Sequence, residues 1–140
     1  MSVELLLVED NPADAKLVLR GLKDFVSADK VHVAENGAQA LEFIFGGGIE
    51  PGSRPKLVLL DLKMPKVSGI QVLEKIKSDP RTKTIPVVML TSSSHERDLE
   101  QCYQLGANSY IVKPVDFDQF FDAMKQIGLY WLSLNRLPEQ

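Results

Sequence analysis

Five short apolar runs, each followed by a segment with apolar residues at helical spacing, constrain this chain more than any other feature of its sequence. Residues 3–8, 31–34, 57–60, 86–90 and 109–112 read as strands, the first interrupted only by Glu4. Such runs, apolar on both faces, fit strands covered by helices on either side. The intervening segments carry helix signals. Asn11 with Pro12 opens the first helix, a cap followed by a proline at the first helical position. Ala15, Val18, Leu19, Leu22 and Phe25 follow at helical spacing. Asn36 with Gln39, Ser68 with Gln71, Ser93 with Glu96, and Asp116 with Gln119 read as capping pairs for the next four helices. Gly46-Gly47-Gly48, Asp79-Pro80 and Gly106 are the stop signals. Phe117, Phe120, Phe121, Met124, Ile127 and Trp131 form the apolar stripe of the last helix. Strands alternating with helices imply right-handed crossovers and a doubly wound parallel sheet, an α/β domain of the (βα)5 type.

Composition narrows the class. With 140 residues, 44% of them apolar and 25% charged, the chain is of ordinary single-domain size and make-up. No apolar run approaches the roughly 20 residues of a membrane span, and no basic, then apolar, leader opens the chain. One cysteine, Cys102, excludes an internal disulfide, and His32 and His95 with it do not make a zinc site. A net charge of −3 lacks the basic surplus of a nucleic-acid binder. The expectation is a cytoplasmic domain without membrane or nucleic-acid partners.

Ligands of such sheets bind beyond the carboxyl ends of the strands. Glu9 and Asp10 follow the first strand there, and Asp61 follows the third. If the two strands are neighbours, about 5 Å separates them and the acids converge. Helix capping is the plain alternative, weakened because Asn11 and Ser68 already cap the helices concerned. Crowded carboxylates require a proton or a cation, and an all-oxygen donor set suits a hard divalent ion, most naturally Mg²⁺. Thr91 ends the fourth strand and Lys113 the fifth, supplying a hydroxyl and an ammonium to the same edge, as a phosphoryl group would need. Lys113-Pro114 is an X-Pro bond at that edge, where a cis peptide would set the direction of the lysine.

Leu7-Val8-Glu9-Asp10-Asn11, Leu59-Leu60-Asp61-Leu62-Lys63-Met64-Pro65 with Gly69, Leu90-Thr91-Ser92, and Tyr110-Ile111-Val112-Lys113-Pro114 together resemble the signature of two-component response-regulator receiver domains, which are CheY-like. The resemblance covers about residues 3 to 128. It implies a flavodoxin-like sheet of order 2-1-3-4-5 and a phosphoacceptor role for Asp61. It also implies Mg²⁺ held by Asp10, Asp61 and the backbone carbonyl of Lys63 with Glu9 assisting, phosphoryl contacts from Thr91 and Lys113, and a switch formed by Thr91 and Tyr110. Glu9 stands where many members have Asp.

A receiver over 1–128 and a short extension over 129–140, with no output domain, is the expected organisation. The implied partner is a sensor histidine kinase. Glu9-Asp10-Asn11-Pro12-Ala13-Asp14, the glycine-rich loop before the third strand and the ending Tyr130 to Asn135 resemble regulators paired with phytochrome-type kinases. Such a protein signals rather than acting as an enzyme, although it assists its own phosphoryl transfer and dephosphorylation. Leu129, Tyr130, Leu132, Leu134 and Leu137 add apolar groups that one helix face cannot cover, which predicts a homodimer through the fifth helix and the extension. An intermediate phosphorelay carrier is an alternative within the family. Outside it stand a Mg²⁺-dependent phosphohydrolase with an Asp nucleophile, disfavoured because Lys63 occupies the place of its second acid, and a flavodoxin-like binder, whose ligand phosphate Glu9-Asp10 would repel.

Overall fold

The computed structural model describes residues 3–46, 54–64 and 66–138. Gly47 and Gly48 of the expected stop signal, the rest of the loop to residue 53, and Pro65 lie outside them. The strands are β1 (Leu5–Val8), β2 (Val31–Ala34), β3 (Leu57–Leu60), β4 (Val87–Thr91) and β5 (Ser109–Val112). The helices are α1 (Pro12–Leu22), α2 (Gly37–Leu41), α3 (Gly69–Ser78), α4 (Glu96–Gln104) and α5 (Phe117–Ile127). All strand pairs are parallel, in the order β2-β1-β3-β4-β5, as the resemblance implied.

Strand periodicity sorts the core into two layers. Leu5, Leu7, Leu57, Leu59, Val88 and Leu90 face one side and pack with Ala15, Val18 and Leu22 of α1 and Phe120, Met124 and Ile127 of α5. Leu6, Val8, Val58, Leu60, Val87 and Met89 face the other, against Ala40 of α2, Val72, Leu73 and Ile76 of α3, and Cys102 of α4. The central strands are therefore buried at every position, and this is why their sequences read as unbroken apolar runs. Among the described residues no helix is long and apolar enough to cross a membrane.

Most helix signals act as expected. Asn11 Oδ1 accepts from the backbone N–H of Ala13 and Asp14, Ser68 and Gln71 form a complete capping box, and the Asp116 carboxylate accepts from Gln119 N–H. Gly106 ends α4 with φ +104°, a conformation that a Cβ would strain. Five details differ. The first strand starts at Leu5, because Glu4 sits in a bend, although its carbonyl still accepts from Lys56 and Leu57. The fourth runs one residue later than 86–90, and the Pro86 carbonyl accepts from Val58 N–H. The Ser93–Glu96 pair is not a cap: α4 begins after His95, and the Ser93 hydroxyl donates to the Asp98 carboxylate at 2.6 Å. In the second pair Asn36 caps Gln39, but the Gln39 side chain accepts from Glu35 N–H, one residue further back. Phe117 is 63% exposed, because it begins α5 at the edge of the sheet and not over it.

Two helices continue as π-helical turns, Glu42–Gly46 after α2 and Gly128–Leu134 after α5. The second folds Leu132 into the α1/α5 layer and leaves Leu129, Tyr130 and Leu134 exposed.

Candidate functional site

Parallel register brings the acids together. Val8 pairs with Leu60, so Glu9 and Asp61 each stand one step beyond the aligned ends of adjacent strands. Their backbone N–H groups extend the ladder, Glu9 to the Ala34 carbonyl and Asp61 to the Val8 carbonyl. Glu9, Asp10 and Asp61 each offer a carboxylate oxygen, and these oxygens lie within 4.8 Å of one another. Glu9 and Asp61 are buried, whereas Asp10 is exposed and leaves the cluster open to solvent on its side. Asp61 Oδ1 accepts from Leu62 N–H at 2.7 Å, which fixes the carboxylate at the top of β3.

Lys113 is placed by β5. Val112 pairs with Thr91 across the β4–β5 ladder, and Lys113 N–H donates to the Thr91 carbonyl at 2.7 Å. The peptide to Pro114 is trans. The Lys113 ammonium reaches back over the sheet to Glu9 at 2.5 Å, to Asp14 at 3.0 Å and to within 3.7 Å of Asp61 Oδ2. Asp14 is the residue that sequence reasoning missed. It appeared only as the end of the Glu9–Asp14 motif, and its position in the first turn of α1, one turn after the cap, was the available signal.

The electrostatics follow from this crowding. Burial pushes the Glu9 carboxyl up to about 7; the Lys113 hydrogen bond works against that and the Asp61 charge adds to it. Burial alone would lower Lys113, but its hydrogen bond to Glu9, the Asp61 charge and its hydrogen bond to Asp14 together hold it above its ordinary value. Three carboxylates around one ammonium, with Asp10 beside two of them, leave the edge negative, and the all-oxygen donor set of Glu9, Asp10 and Asp61 fits a hard divalent cation.

Thr91 is fully buried at the end of β4, and its hydroxyl oxygen accepts from Ser93 N–H at 3.3 Å. The Tyr110 ring lies half-buried against the α2/α3/α4 layer, and its hydroxyl donates to the Ser93 carbonyl at 2.9 Å. Ser93 thus links Thr91, Tyr110 and, through Asp98, helix α4. Lys63 is exposed in the loop between β3 and α3. That loop is held by Gly69 N–H donating to the Leu62 carbonyl, and Lys66 within it takes a left-handed φ of 67°.

Comparison with known proteins gives one consistent answer. The family model for the response regulator receiver domain matches residues 5–125. The probable methanogenesis regulatory protein FilR2 of Methanothrix harundinacea is 40% identical over 137 residues, covering 96% of this chain and 86% of that protein. Response regulator Rcp1 of Synechocystis is 38% identical over 135 residues, covering 96% and 92%. Among solved structures, the phosphorylated cyanobacterial phytochrome response regulator RcpA superposes with a TM-score of 0.89 at 39% identity, covering 99% of this chain and 100% of that one. The Mn²⁺-bound form of Rcp1 gives a TM-score of 0.85 at 36% identity, covering 97% and 99%.

Proposed function

Because the chain belongs to the family of response regulator receiver domains, we propose that Asp61 is its phosphoacceptor and that Thr91, Lys113 and Tyr110 turn phosphorylation of Asp61 into a change of surface. The observation that carries the reading is the convergence, at one sheet edge, of Asp61 with two further acids and with a lysine 3.7 Å from its Oδ2. A divalent cation, for which Mg²⁺ is the natural candidate, would be held by Glu9, Asp10, Asp61 and the Lys63 carbonyl and would offset charge on the acids and on phosphoryl oxygens. The Mn²⁺-bound Rcp1 structure supports a divalent ion in this family.

The protein's own groups do the rest. An Asp61 oxygen attacks the phosphorus of a phosphohistidine. The P–N bond breaks as the P–O bond forms, and the donor imidazole leaves. Negative charge then sits on the three equatorial oxygens, which the Lys113 ammonium and, once turned toward them, the Thr91 hydroxyl would stabilise. When Thr91 turns to the phosphoryl group it gives up Ser93 N–H, and the carbonyl of that same residue is the acceptor of the Tyr110 hydroxyl. Phosphorylation is thereby coupled to the β4–α4 loop and to the ring on β5, a population shift between two packings. The output is a signal passed to a partner and not turnover of a separate substrate. The donor we propose is a sensor histidine kinase of the phytochrome type, supported by the similarity to RcpA and Rcp1. The expected result is phosphotransfer from such a kinase in the presence of Mg²⁺ and none after chelation with EDTA, read by intact mass. Transfer at an equal rate without a divalent ion would sink the metal assignment.

Residues 129–140 we read as an extension that serves self-association. Leu129, Tyr130 and Leu134 are 52%, 49% and 61% exposed. They neighbour a groove of about 430 Å³ lined by Ile111, Ala123, Ile127, Tyr130 and Trp131 among others. A second copy, two-fold related, would cover both. Because Leu132 belongs to the core, cutting the chain after Gly128 would damage the fold, and paired Leu129→Glu and Leu134→Glu substitutions are the better probe. Sedimentation is expected to show a wild-type dimer and a monomeric variant with unchanged circular dichroism. A wild-type chain that stays monomeric at high micromolar concentration would leave these residues without that role.

A further inference from the structure

Lys113 is shared unevenly among its acids. Its ammonium lies 2.5 Å from Glu9 and 3.0 Å from Asp14 but 3.7 Å from Asp61. Of these three acids, Glu9 and Asp61 belong to the cluster suited to a divalent cation, and Asp14 does not. The backbone of Asp14 is fixed in the first turn of α1, where its N–H donates to Asn11 Oδ1 at 3.1 Å. The lysine stem passes beside a cavity of about 300 Å³ lined by Leu17, Ser92, Pro114 and Phe120 among others. Packing on that side leaves room for movement, so the hydrogen bonds of the ammonium set its direction.

We propose that Asp14 is a positioning residue for Lys113. It holds the ammonium on the α1 side of Asp61, off the attacking oxygen, and it remains the partner of the lysine when Glu9 and Asp61 turn toward a cation. Without it, Coulomb attraction draws the ammonium, already 2.5 Å from Glu9, in from 3.7 Å onto Asp61 as well, so that it occupies both of the carboxylates that the cation needs. The inference rests on the phosphoacceptor reading given above and extends it to a residue outside the acidic cluster.

The experiment is a double-mutant cycle on the full chain. Asp14→Asn, Asp14→Glu, Lys113→Ala and the Asp14→Asn/Lys113→Ala double variant are compared with wild type. MgCl₂ binding is followed by calorimetry, and phosphorylation by acetyl phosphate by intact mass. Circular dichroism checks the fold, with Lys113→Gln as the substitute should the alanine variant not fold. Asp14→Asn is expected to weaken Mg²⁺ binding and slow phosphorylation about five- to tenfold each, the scale of one partly exposed charge-assisted hydrogen bond. Asp14→Glu should recover most of both, and the double variant should match Lys113→Ala. Wild-type behaviour of Asp14→Asn beside an impaired Lys113→Ala overturns the positioning role and leaves the site reading standing. An Asp14→Asn effect that persists undiminished in the Lys113→Ala background overturns it too, since the cause would then be long-range charge. If Lys113→Ala itself behaves as wild type, both the inference and the phosphoryl role of Lys113 fail.

Discussion

Asp61→Asn is expected to reduce phosphate uptake to background while leaving the protein folded. Asparagine has nearly the shape of aspartate, and its Oδ1 can still accept from Leu62 N–H, the 2.7 Å bond that sets the side chain at the end of β3. What it lacks is the second anionic oxygen, the proposed nucleophile, for which an amide nitrogen is no substitute. The fold should not suffer, because the substitution also removes one carboxylate from a crowd in which Glu9 and Asp61 are both buried and repel each other. Mg²⁺ binding should weaken as well, since one of three convergent donors has lost its charge. Incubation with acetyl phosphate and Mg²⁺, followed by intact mass, separates the variants directly. Equal uptake by wild type and Asp61→Asn would remove the phosphoacceptor assignment.

Gly69→Ala is expected to be among the most damaging single-methyl additions available in this chain. In the interior of a helix alanine is better than glycine by about 1 kcal/mol, an upper limit for Gly69, the first residue of α3. Here a Cβ at Gly69 would stand 2.1 Å from the Asp61 carbonyl oxygen and 2.8 Å from Leu62 Cα. Both obstacles are backbone, so no rotamer change relieves them. Either the start of α3 or the end of β3 has to move. Overpacking of this kind costs about 1–3 kcal/mol, with the upper end apt where only backbone can yield, and it outweighs the gain in helix propensity. The movement falls on Asp61, the proposed phosphoacceptor. Urea unfolding should therefore show a lowered midpoint with an unchanged slope, and the folded fraction should take up phosphate more slowly than wild type. A variant as stable and as active as wild type would show that α3 approaches β3 less closely than these distances state.

Much of this was legible in the sequence, for identifiable reasons. The central strands could be read because burial on both faces leaves no polar residue within Leu5–Val8 or Leu57–Leu60. Caps at Asn11, Ser68 and Asp116 could be read because a cap is a bond to a residue two or three positions away. Ser93 misled for the complementary reason: its hydroxyl oxygen accepts from His95 N–H instead of Glu96 N–H while the hydroxyl donates to Asp98, and only the path of the β4–α4 loop decides this. The stripe of α5 was right from Phe120 to Ile127 and wrong at Phe117, whose exposure depends on where the sheet stops.

The sequence by itself determined which residues end the strands, and hence that Glu9, Asp61, Thr91 and Lys113 share one edge, because strand ends in a parallel sheet all point the same way. It could not determine the partners of the lysine. Glu9 is 104 residues from Lys113 and Asp14 is 99, and contacts across such spans are set by strand order, register and the direction in which α1 leaves the sheet. Register put Glu9 and Asp61 side by side, and the first turn of α1 brought a third carboxylate to an ammonium already beside both. Local chemistry is written in neighbours along the chain, whereas the sharing of one charge among several is decided only by where the packed sheet and helices hold them.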